Sequence, residues 1–269
     1  MKSVNLNSAL ACAVEAARRA GALIRRNLSV NKTINLRSAH DIKLELDVRS
    51  QKLIEKILLG AFPQTAILGE EGLAGKGDPD WRWVVDPIDG TVNFTYGIPH
   101  ACVSIALQQR ARKDFESVAG AVYDPFCDEL WTSIRGHPAR LNGRRIHVSK
   151  HRKLSECIVS IGFAKDAESL HHNLPVFNHL VRHVLKIRMM GSAALALTYV
   201  ASGRFDAYIE TGIQLWDIAA GGLIIECAGG EFWNRPVPGT AKYEMLANNG
   251  LVRRKLESLA REARAGAAG

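Results

Sequence analysis

The stretch WVVDPIDGTVNFTYG, residues 83–97, passes directly from an apolar run into two carboxylates. Its first three residues are typical of the end of a buried strand, and Asp86 and Asp89 follow. Pro87 lies between them, and because proline fixes φ and donates no hydrogen bond, it suits a tight exit from the strand. Two carboxylates this close repel each other unless a positive charge lies between them. The stretch is therefore either a surface turn, which Asp, Pro and Gly all favour, or part of a cation site.

The turn after Asp89 offers further groups that could bind a ligand. Gly90 and Thr91 can direct their backbone N–H groups at the same point as the carboxylates. Mg²⁺ prefers carboxylate and carbonyl oxygens, usually with water or substrate phosphate completing its octahedron. The carbonyl of Ile88, which lies between the two aspartates, is therefore an additional candidate ligand.

Two other stretches place acids at comparable positions. The sequence LGEEG, residues 68–72, puts Glu70 and Glu71 at the end of a second apolar strand. The sequence QLWDIAAGG, residues 214–222, puts Asp217 in the first turn of a helix, where a capping role is the alternative. In α/β sheets, ligands gather at the ends of strands. Together these acids favour the cation site over the surface turn.

The order and spacing of these motifs resemble the inositol monophosphatase family of Mg²⁺-dependent, lithium-sensitive phosphatases. The resemblance rests on GEEG, WVVDPIDGTVNF and WDIAAGG, which begin at residues 69, 83 and 216. It extends over nearly the whole chain and includes AVYDPFCDELWTS, LNGRRIHVS and GSAALALTYVASGRFDAYIETG. The resemblance implies an α/β (α+β) fold, a layered αβαβα sandwich of the inositol monophosphatase and fructose-1,6-bisphosphatase type. It also implies Mg²⁺ as the cofactor.

The metal ligands that the resemblance implies are acidic side chains and one carbonyl. Glu70, Asp86 and the Ile88 carbonyl would hold one Mg²⁺. Asp86, Asp89 and Asp217 would hold a second, so that Asp86 bridges the two ions. Glu70 would also help to hold a weaker third ion through water. Divalent charge at this point would neutralise a phosphate dianion and acidify a bound water.

The resemblance also implies catalytic and substrate-binding residues. Asp47 and Thr91 would orient the attacking water, and Glu70 is the third implied catalytic residue. The alternative for Asp47 is an acid at the start of a helix. The substrate-binding residues would be the phosphate-binding turn and the groups around the substrate hydroxyls: Ile88, Asp89, Gly90, Thr91, Gly191, Ser192, Ala193, Glu210 and Asp217.

Residues 36–47 depart from the family pattern at two positions. Asp41 and Asp47 are retained, but Leu36 stands where lysine is common and Leu44 where threonine is common. Leucine cannot donate a hydrogen bond through its side chain, so the surroundings of the water site are altered. The primary metal ligands are not affected.

Apolar periodicity predicts two long helices, over residues 8–27 and 46–62, followed by a mostly antiparallel sheet. Asp86 is predicted to end its strand, and Asn142-Gly143 to form a type I′ hairpin turn. The second half alternates strands and helices, and Ser192 is predicted to cap one helix. We expect an N-terminal part, residues 1–150, that carries the metal motifs, and a C-terminal α/β subdomain, residues 151–269, packed as one catalytic unit.

Composition limits the possible partners and compartments. The net charge of +8 suits an anionic partner such as a phosphate ester or nucleic acid, although dispersed basic residues also promote solubility. The five cysteines are scattered without a CxxC pair, which favours a reducing cytoplasm over a disulfide frame. The sequence has no apolar run of membrane-spanning length, and its first residues lack the pattern of a signal peptide.

We therefore expect a cytoplasmic Mg²⁺-dependent phosphomonoesterase that acts on a small polyol phosphate, with inositol monophosphate as the first choice. Phosphatases of the same superfamily hydrolyse fructose 1,6-bisphosphate, nucleoside 3′,5′-bisphosphate or histidinol phosphate, and the sequence does not separate these alternatives. A second hypothesis is a binding role with RNA or the transcription machinery, with which some bacterial relatives act. The resemblance also implies a homodimer.

Overall fold

The computed structural model describes residues 4–30, 32–37, 42–75, 80–112, 114–163 and 167–267. In this part of the chain, two long helices precede a first sheet, and a second sheet is interleaved with further helices. The helices are α1 Leu6–Asn27, α2 Glu45–Ala61, α3 Thr91–Thr95, α4 Ala167–Leu180, α5 Ala193–Ala201, α6 Leu215–Cys227 and α7 Arg253–Ala267. The two long N-terminal helices, α1 and α2, confirm the helices predicted from apolar periodicity.

The first half of the chain builds an eight-stranded sheet that is mostly antiparallel, as predicted. A separate ribbon pairs β1 Ile34–Arg37 with β2 Ile42–Leu44. The strands of the large sheet, in their spatial order, are β10 Arg144–Arg145, β9 Arg140–Leu141, β8 Glu129–Ile134, β7 Asp114–Asp124, β6 Cys102–Ala111, β5 Trp81–Asp89, β3 Ala66–Gly69 and β4 Gly72–Gly75. Among the described strands of this sheet, β3 and β5 are the only parallel neighbours, and their pairing brings two acid-bearing segments together.

The second half builds a five-stranded sheet of mixed direction. Its strands, in their spatial order, are β12 Lys186–Arg188, β11 Ile158–Phe163, β13 Ala207–Ile213, β15 Tyr243–Asn248 and β14 Glu231–Pro236. The strand β11 runs parallel to both of its neighbours, whereas β13, β15 and β14 pair in antiparallel fashion. The predicted α/β character of this half is therefore confirmed.

Five layers stack in the order helices, sheet, helices, sheet, helices. Helices α1 and α2 cover the outer face of the first sheet in one apolar cluster that includes Trp83 and Val85. Helices α5 and α6 lie between the sheets, because their side chains pack both on Trp131 of the first sheet and on Met245 of the second. Helices α4 and α7 cover the outer face of the second sheet, around Val159. This is the layered sandwich that the sequence resemblance implies.

Helix α1 lies against its sheet through small side chains. Ala9, Ala13, Ala16 and Ala20 recur every three or four residues on this helix and are buried. Side chains at this spacing share one face of a helix, and alanine lets the helix axis approach the sheet closely. The face is continuous over the length of the helix, which fixes its position across the strands.

Of two local predictions for the first sheet, one is confirmed and the other is wrong. The Asn142-Gly143 turn is confirmed, because both residues have positive φ angles, 47° and 78°. The prediction that Asp86 ends its strand is wrong, because β5 continues through a bulge as far as Asp89. The bulge arises where Pro87 cannot donate a ladder hydrogen bond.

Residues 66–145 supply the large sheet and residues 158–248 the smaller one. The boundary near residue 150, and the assignment of one catalytic unit to the two parts, stay predictions. All five cysteines are described and all are free thiols. Over the residues that the structure describes, no helix has both the length and the apolar character to cross a membrane.

Candidate active site

The parallel pair β3 and β5 places the first two acids side by side. Gly69 and Val85 lie opposite each other in this pair, so Glu70 and Asp86 come next on neighbouring chains. The backbone N–H of Glu70 donates to the carbonyl of Val85 over 3.1 Å, which extends the ladder by one step. Glu70 therefore reaches the same edge of the sheet as Asp86.

The bulge in β5 turns the DPxD segment back on itself. The Asp86 carboxylate accepts a hydrogen bond from the backbone N–H of Ile88 over 2.9 Å, across Pro87. This local turn keeps Asp86, which is only 2 % exposed, at the floor of the site. The register resumes with Asp89 opposite Cys102, so Asp86 and Asp89 both remain in the sheet edge.

Asp89 is held by the start of helix α5, more than a hundred residues away in sequence. Its carboxylate accepts hydrogen bonds from the backbone N–H groups of Ala193 and Ala194, over 3.1 and 2.8 Å. The Ser192 hydroxyl and the Cys102 thiol also donate to it. The prediction that Ser192 caps α5 is wrong: Ser192 occupies the N-cap position, but its side chain makes no capping bond. Asp89 instead accepts hydrogen bonds from backbone N–H groups at the start of the helix, which have no acceptor within the helix itself.

Asp217 enters the site from the first turn of helix α6. Its carboxylate accepts the backbone N–H of Gln214 over 2.9 Å, so the capping role considered from the sequence is present. The Ser104 hydroxyl of β6 donates to the carbonyl of Trp216 over 3.3 Å and ties the start of the helix to the sheet. Capping uses only part of the carboxylate, which leaves lone pairs for a cation.

These acids converge into one cluster. Carboxylate oxygens of Asp86, Asp89 and Asp217 all lie within 4.8 Å of one another. Burial, followed by neighbouring charges of which Glu70 is the strongest, raises the pKa of Asp86 well above its ordinary value. Burial and then the charge of Asp89 likewise raise the pKa of Asp217. Burial raises the pKa of Asp89 too, although its four hydrogen bonds oppose the rise.

Asp47 approaches the same point from helix α2. One of its oxygens accepts the backbone N–H of Leu44 over 2.8 Å, so Asp47 does cap the helix. The other lies 3.4 Å from the oxygen of the Thr91 hydroxyl, whose hydrogen is donated over the shorter distance of 2.8 Å to the Ile88 carbonyl. Burial is the main cause that raises the pKa of Asp47 to about 7. Three of the predicted site residues, Asp47, Ile88 and Thr91, thus meet at the Thr91 hydroxyl.

A cavity of about 430 Å³ opens beside the acid cluster. Its walls include every residue that the resemblance assigns to the substrate hydroxyls, together with two of the acids: Gly191, Ser192, Ala193, Glu210, Asp89 and Asp217. Glu210 lies on β13 directly opposite Gly162 of β11, and a Cβ atom at Gly162 would collide with its carboxylate. Burial raises the pKa of Glu210 to about 7, and the Tyr208 hydroxyl donates to it.

Sequence reasoning did not identify four residues that support this arrangement. Tyr208 orients Glu210, and Cys102 donates to Asp89. Asn93 donates to the carbonyl of Met190 over 2.8 Å and so anchors the loop before α5. Gln51 binds the turn that carries Glu70. Of these, only Tyr208 has a local signal, because it lies two positions from Glu210 and therefore on the same face of its strand.

The departures from the family pattern have different outcomes. Leu44 is fully buried and offers its backbone N–H to Asp47, so a leucine fits this position through its main chain. Leu36 lies on β1, where the structure describes the backbone. Asp41 lies outside the described residues.

Comparisons with known proteins identify the family and the fold of this chain. The model of a protein family described as the inositol monophosphatase family matches residues 5–265. The Nus factor SuhB of Pasteurella multocida is 39% identical over 229 residues, which cover 84% of this chain and 84% of that protein. The inositol-1-monophosphatase of Rhizobium meliloti is 39% identical over 233 residues, 85% of each chain.

A solved structure shows the same fold. The extragenic suppressor protein suhB from Bartonella henselae superposes with a TM-score of 0.86 at 34% sequence identity. The superposition covers 94% of this chain and 98% of that one. The similarity therefore spans both sheets and all the layers that build the site.

Proposed function

The chain belongs to the inositol monophosphatase family, and we propose that it hydrolyses a small polyol phosphate monoester, inositol monophosphate first among them, in a Mg²⁺-dependent reaction. The observation that carries this proposal is the convergence of Asp86, Asp89 and Asp217 within 4.8 Å of one another. Like charges at this separation raise the free energy of the folded chain unless protons or cations neutralise them. The name of the Rhizobium meliloti relative supports the same activity.

The residues present fit a magnesium site. The donors are carboxylate oxygens, the hard ligands that Mg²⁺ prefers over nitrogen or sulfur. Glu70, Asp86 and the Ile88 carbonyl would hold one ion, and Asp86, Asp89 and Asp217 a second. The Ile88 carbonyl accepts a hydrogen bond from Thr91, and a carbonyl oxygen has a second lone pair that could bind a cation. Bound Mg²⁺ would neutralise the phosphate, acidify a water and stabilise the leaving alkoxide.

The protein's own groups would orient the attacking water. Thr91 places its single hydroxyl hydrogen on the Ile88 carbonyl at 2.8 Å, so its oxygen can accept a hydrogen bond from water. Asp47 lies beside that hydroxyl, and its raised pKa of about 7 suits a group that takes up a proton near neutral pH. In the balanced reaction, the water oxygen forms a bond to phosphorus and the ester P–O bond breaks. The water proton passes toward Asp47, and the leaving oxygen receives a proton from solvent.

The cavity favours a compact hydroxylated substrate. Its volume of about 430 Å³ lies in the range of small-molecule sites. Glu210 would accept hydrogen bonds from substrate hydroxyls, with Gly191, Ser192 and Ala193 lining the same cavity, and Gly90 with Thr91 would receive the phosphate. Met189 and Phe163 give part of the wall an apolar character, which suits a charged second phosphate less well than a neutral ring. Bisphosphate sugars, bisphosphate nucleotides and histidinol phosphate remain the alternatives within the superfamily.

Phosphate release from myo-inositol 1-phosphate tests the proposal. We expect Mg²⁺-dependent turnover by the full-length protein, abolition by EDTA, and a loss of at least about a hundredfold in Asp89→Asn. The same assay with fructose 1,6-bisphosphate, adenosine 3′,5′-bisphosphate and histidinol phosphate ranks the alternatives. A strong preference for the bisphosphate nucleotide would reject the polyol substrate, and no Mg²⁺-dependent release from any ester would reject the activity.

A binding role with the transcription machinery is the second candidate function. Two observations favour it: a relative of this chain is a Nus factor by name, and the chain carries a net charge of +8. Positive charge promotes salt-dependent binding to RNA. An electrophoretic shift with structured RNA, titrated with salt, tests this candidate. Retention that weakens steeply with salt would support it, and no retention in dilute buffer would dismiss it.

Assembly and location complete the proposal. We propose a homodimer, as the resemblance implies, which size-exclusion chromatography with light scattering would verify. The five free thiols support a reducing, cytoplasmic environment. Cell fractionation with an antibody to the chain would check the compartment.

A further inference from the structure

Gln51 is a buried amide that contacts the site only through a neighbouring turn. It lies on helix α2 one turn after Asp47 and is 3 % exposed. Its Oε1 accepts the backbone N–H of Glu71 over 2.8 Å. Its Nε2 donates to Glu55 over 2.9 Å and to the Gly72 carbonyl over 3.3 Å. The amide therefore binds two adjacent residues, Glu71 and Gly72, where the turn between β3 and β4 enters β4.

The end of β3 is shaped to admit this amide. A Cβ atom on Gly69 would collide with the Gln51 side chain, whose Cδ lies 2.5 Å from the ideal Cβ position. Only glycine leaves that space open. Gln51 thus fills the volume beside Gly69, which precedes Glu70. It also holds Glu71, which follows Glu70, by a hydrogen bond.

The turn needs such a restraint because of its charge. Among the neighbouring charges, that of Glu70 has the largest effect on the pKa of Asp86, and it also raises the pKa of Asp217. Repulsion would push Glu70 and its turn away from the cluster before any cation binds. A neutral amide with three hydrogen bonds opposes that displacement without adding charge. Asp47 and Gln51 lie on the same face of α2, so one helix holds both the Thr91 turn and the Glu70 turn.

We propose that Gln51 is a positioning residue that fixes the Glu70 turn in its metal-binding arrangement and thereby sets the affinity for Mg²⁺. This inference rests on the proposed function, because it assumes that the acid cluster binds Mg²⁺. Its effect passes through the backbone of Glu71, so the acceptor oxygen of Gln51 is the essential atom. Residues that orient metal ligands in this way typically change metal affinity by about 10- to 100-fold when removed.

Calorimetric titration of the metal-free, full-length protein with Mg²⁺ tests the proposal. We expect Gln51→Leu, which keeps the volume and loses the hydrogen bonds, to weaken Mg²⁺ binding by about tenfold or more. Gln51→Glu keeps the acceptor oxygen but replaces the amide donor by a negative charge that faces Glu55 and the Gly72 carbonyl, so it should weaken binding as well. Gly69→Ala displaces the amide from the other side and should weaken binding as Gln51→Leu does, which provides a second variant if Gln51→Leu does not fold.

A matched control is available in Gln108, a glutamine of β6 that is also buried. Gln108 bonds to Arg82 and Ser117, at the opposite end of β5 from Asp86. Gln108→Leu should therefore leave Mg²⁺ affinity unchanged even where it lowers stability. Wild-type affinity in both Gln51→Leu and Gly69→Ala, in a protein whose Asp86→Asn variant loses Mg²⁺, would overturn the positioning role alone. Absence of Mg²⁺ binding to the wild-type protein would instead overturn the proposed function.

Discussion

Two buried acids of this protein, Asp86 and Asp206, are each 2 % exposed, yet their surroundings are opposite. Asp206 precedes β13 and accepts hydrogen bonds from the Ser149 hydroxyl, from His151 over 2.8 Å and from the backbone N–H of Ile158 over 2.7 Å. Asp86 accepts a local hydrogen bond from the backbone N–H of Ile88 over 2.9 Å and otherwise faces other acids. The first carboxylate is satisfied by donors of the protein, and the second is not.

We infer that this difference separates an acid that stabilises the fold from one that binds a cation. The partners of Asp206 come from the segment that joins the two sheets, so its hydrogen bonds hold that connection to β13. Asp86 lies among acids that compete for neutralisation, and burial with their charges raises its pKa. An acid that stabilises the fold needs donors, whereas an acid that binds a cation must keep its lone pairs free. Burial alone does not distinguish the two.

The same substitution should therefore have opposite effects at the two acids, and the largest change is expected in the activity of Asp86→Asn. Loss of this ligand should reduce phosphatase activity by about a thousandfold, which corresponds to about 4 kcal/mol. The metal-free variant should unfold at a higher temperature than the wild type, because one repelling charge is removed. Phosphate-release kinetics and calorimetric melting in EDTA measure both effects. A less stable metal-free variant would contradict the assigned repulsion.

Asp206→Asn should instead lower stability by about 2 kcal/mol, since the new NH₂ group faces donors that have lost an acceptor. Its activity per folded molecule should equal that of the wild type, because Asp206 does not line the site. Urea unfolding at constant Mg²⁺, combined with the kinetic assay, checks the pair of expectations. Unchanged stability would show that the Asp206 hydrogen bonds do not hold the connection between the sheets.

The stability of the folded protein should depend on pH because two carboxyl groups of the site, Asp47 and Glu210, have raised pKa values. Asp47 and Glu210 have pKa values raised to about 7, so the folded protein binds more protons than the unfolded chain between their ordinary pKa values and pH 7. The stability contributed by these groups is complete at acidic pH and is lost as the pH rises through about 7. Metal-free wild type should thus gain on the order of 1–2 kcal/mol from pH 8 to pH 6, relative to Asp47→Asn/Glu210→Gln. Urea titrations at both pH values give the difference, and parallel pH profiles would refute it.

The smallest effect is expected at the rim of the Asp206 cluster. His151 is about half exposed, so its ion pair with Asp206 is screened by solvent. His151→Ala should lower the unfolding free energy by about 0.5 kcal/mol and leave Mg²⁺ affinity unchanged. Chemical denaturation resolves a change of this size when the unfolding free energies of the two proteins fall with denaturant concentration at the same slope. A loss as large as that of Asp206→Asn would mean that His151, rather than the backbone and hydroxyl donors, satisfies the acid.

The sequence predicts much of the site because its acids occur in short local patterns. Glu70 follows an apolar strand, Asp86 follows the apolar run within β5, and Asp217 lies in the first turn of a helix. Such positions meet at one edge of a sheet. The layered fold was accessible through the resemblance and the periodicity of the helices. The order of strands was not, since the parallel pairing of β3 with β5 depends on contacts that neither strand specifies alone.

The sequence could not predict the hydrogen bonds that hold the site residues in place, because their partners lie far away along the chain. Asp89 takes over the cap of α5 from Ser192, which carries the local capping pattern, because the fold brings a carboxylate from β5 to the helix start. Gln51 and Glu71 are likewise paired by tertiary structure. Propensity and spacing describe neighbours along the chain, so partners across it become visible only in three dimensions.

Titration of EDTA-treated protein with Mg²⁺ by calorimetry, in two buffers of different ionisation enthalpy, tests the central claim most directly. The acid cluster predicts saturable binding accompanied by proton release near neutral pH, because carboxyls with raised pKa values give up protons to the cation. Binding should be lost in Asp86→Asn and retained in Asp206→Asn. No saturable binding, or equal binding in both variants, would contradict the assignment of these acids as a metal centre.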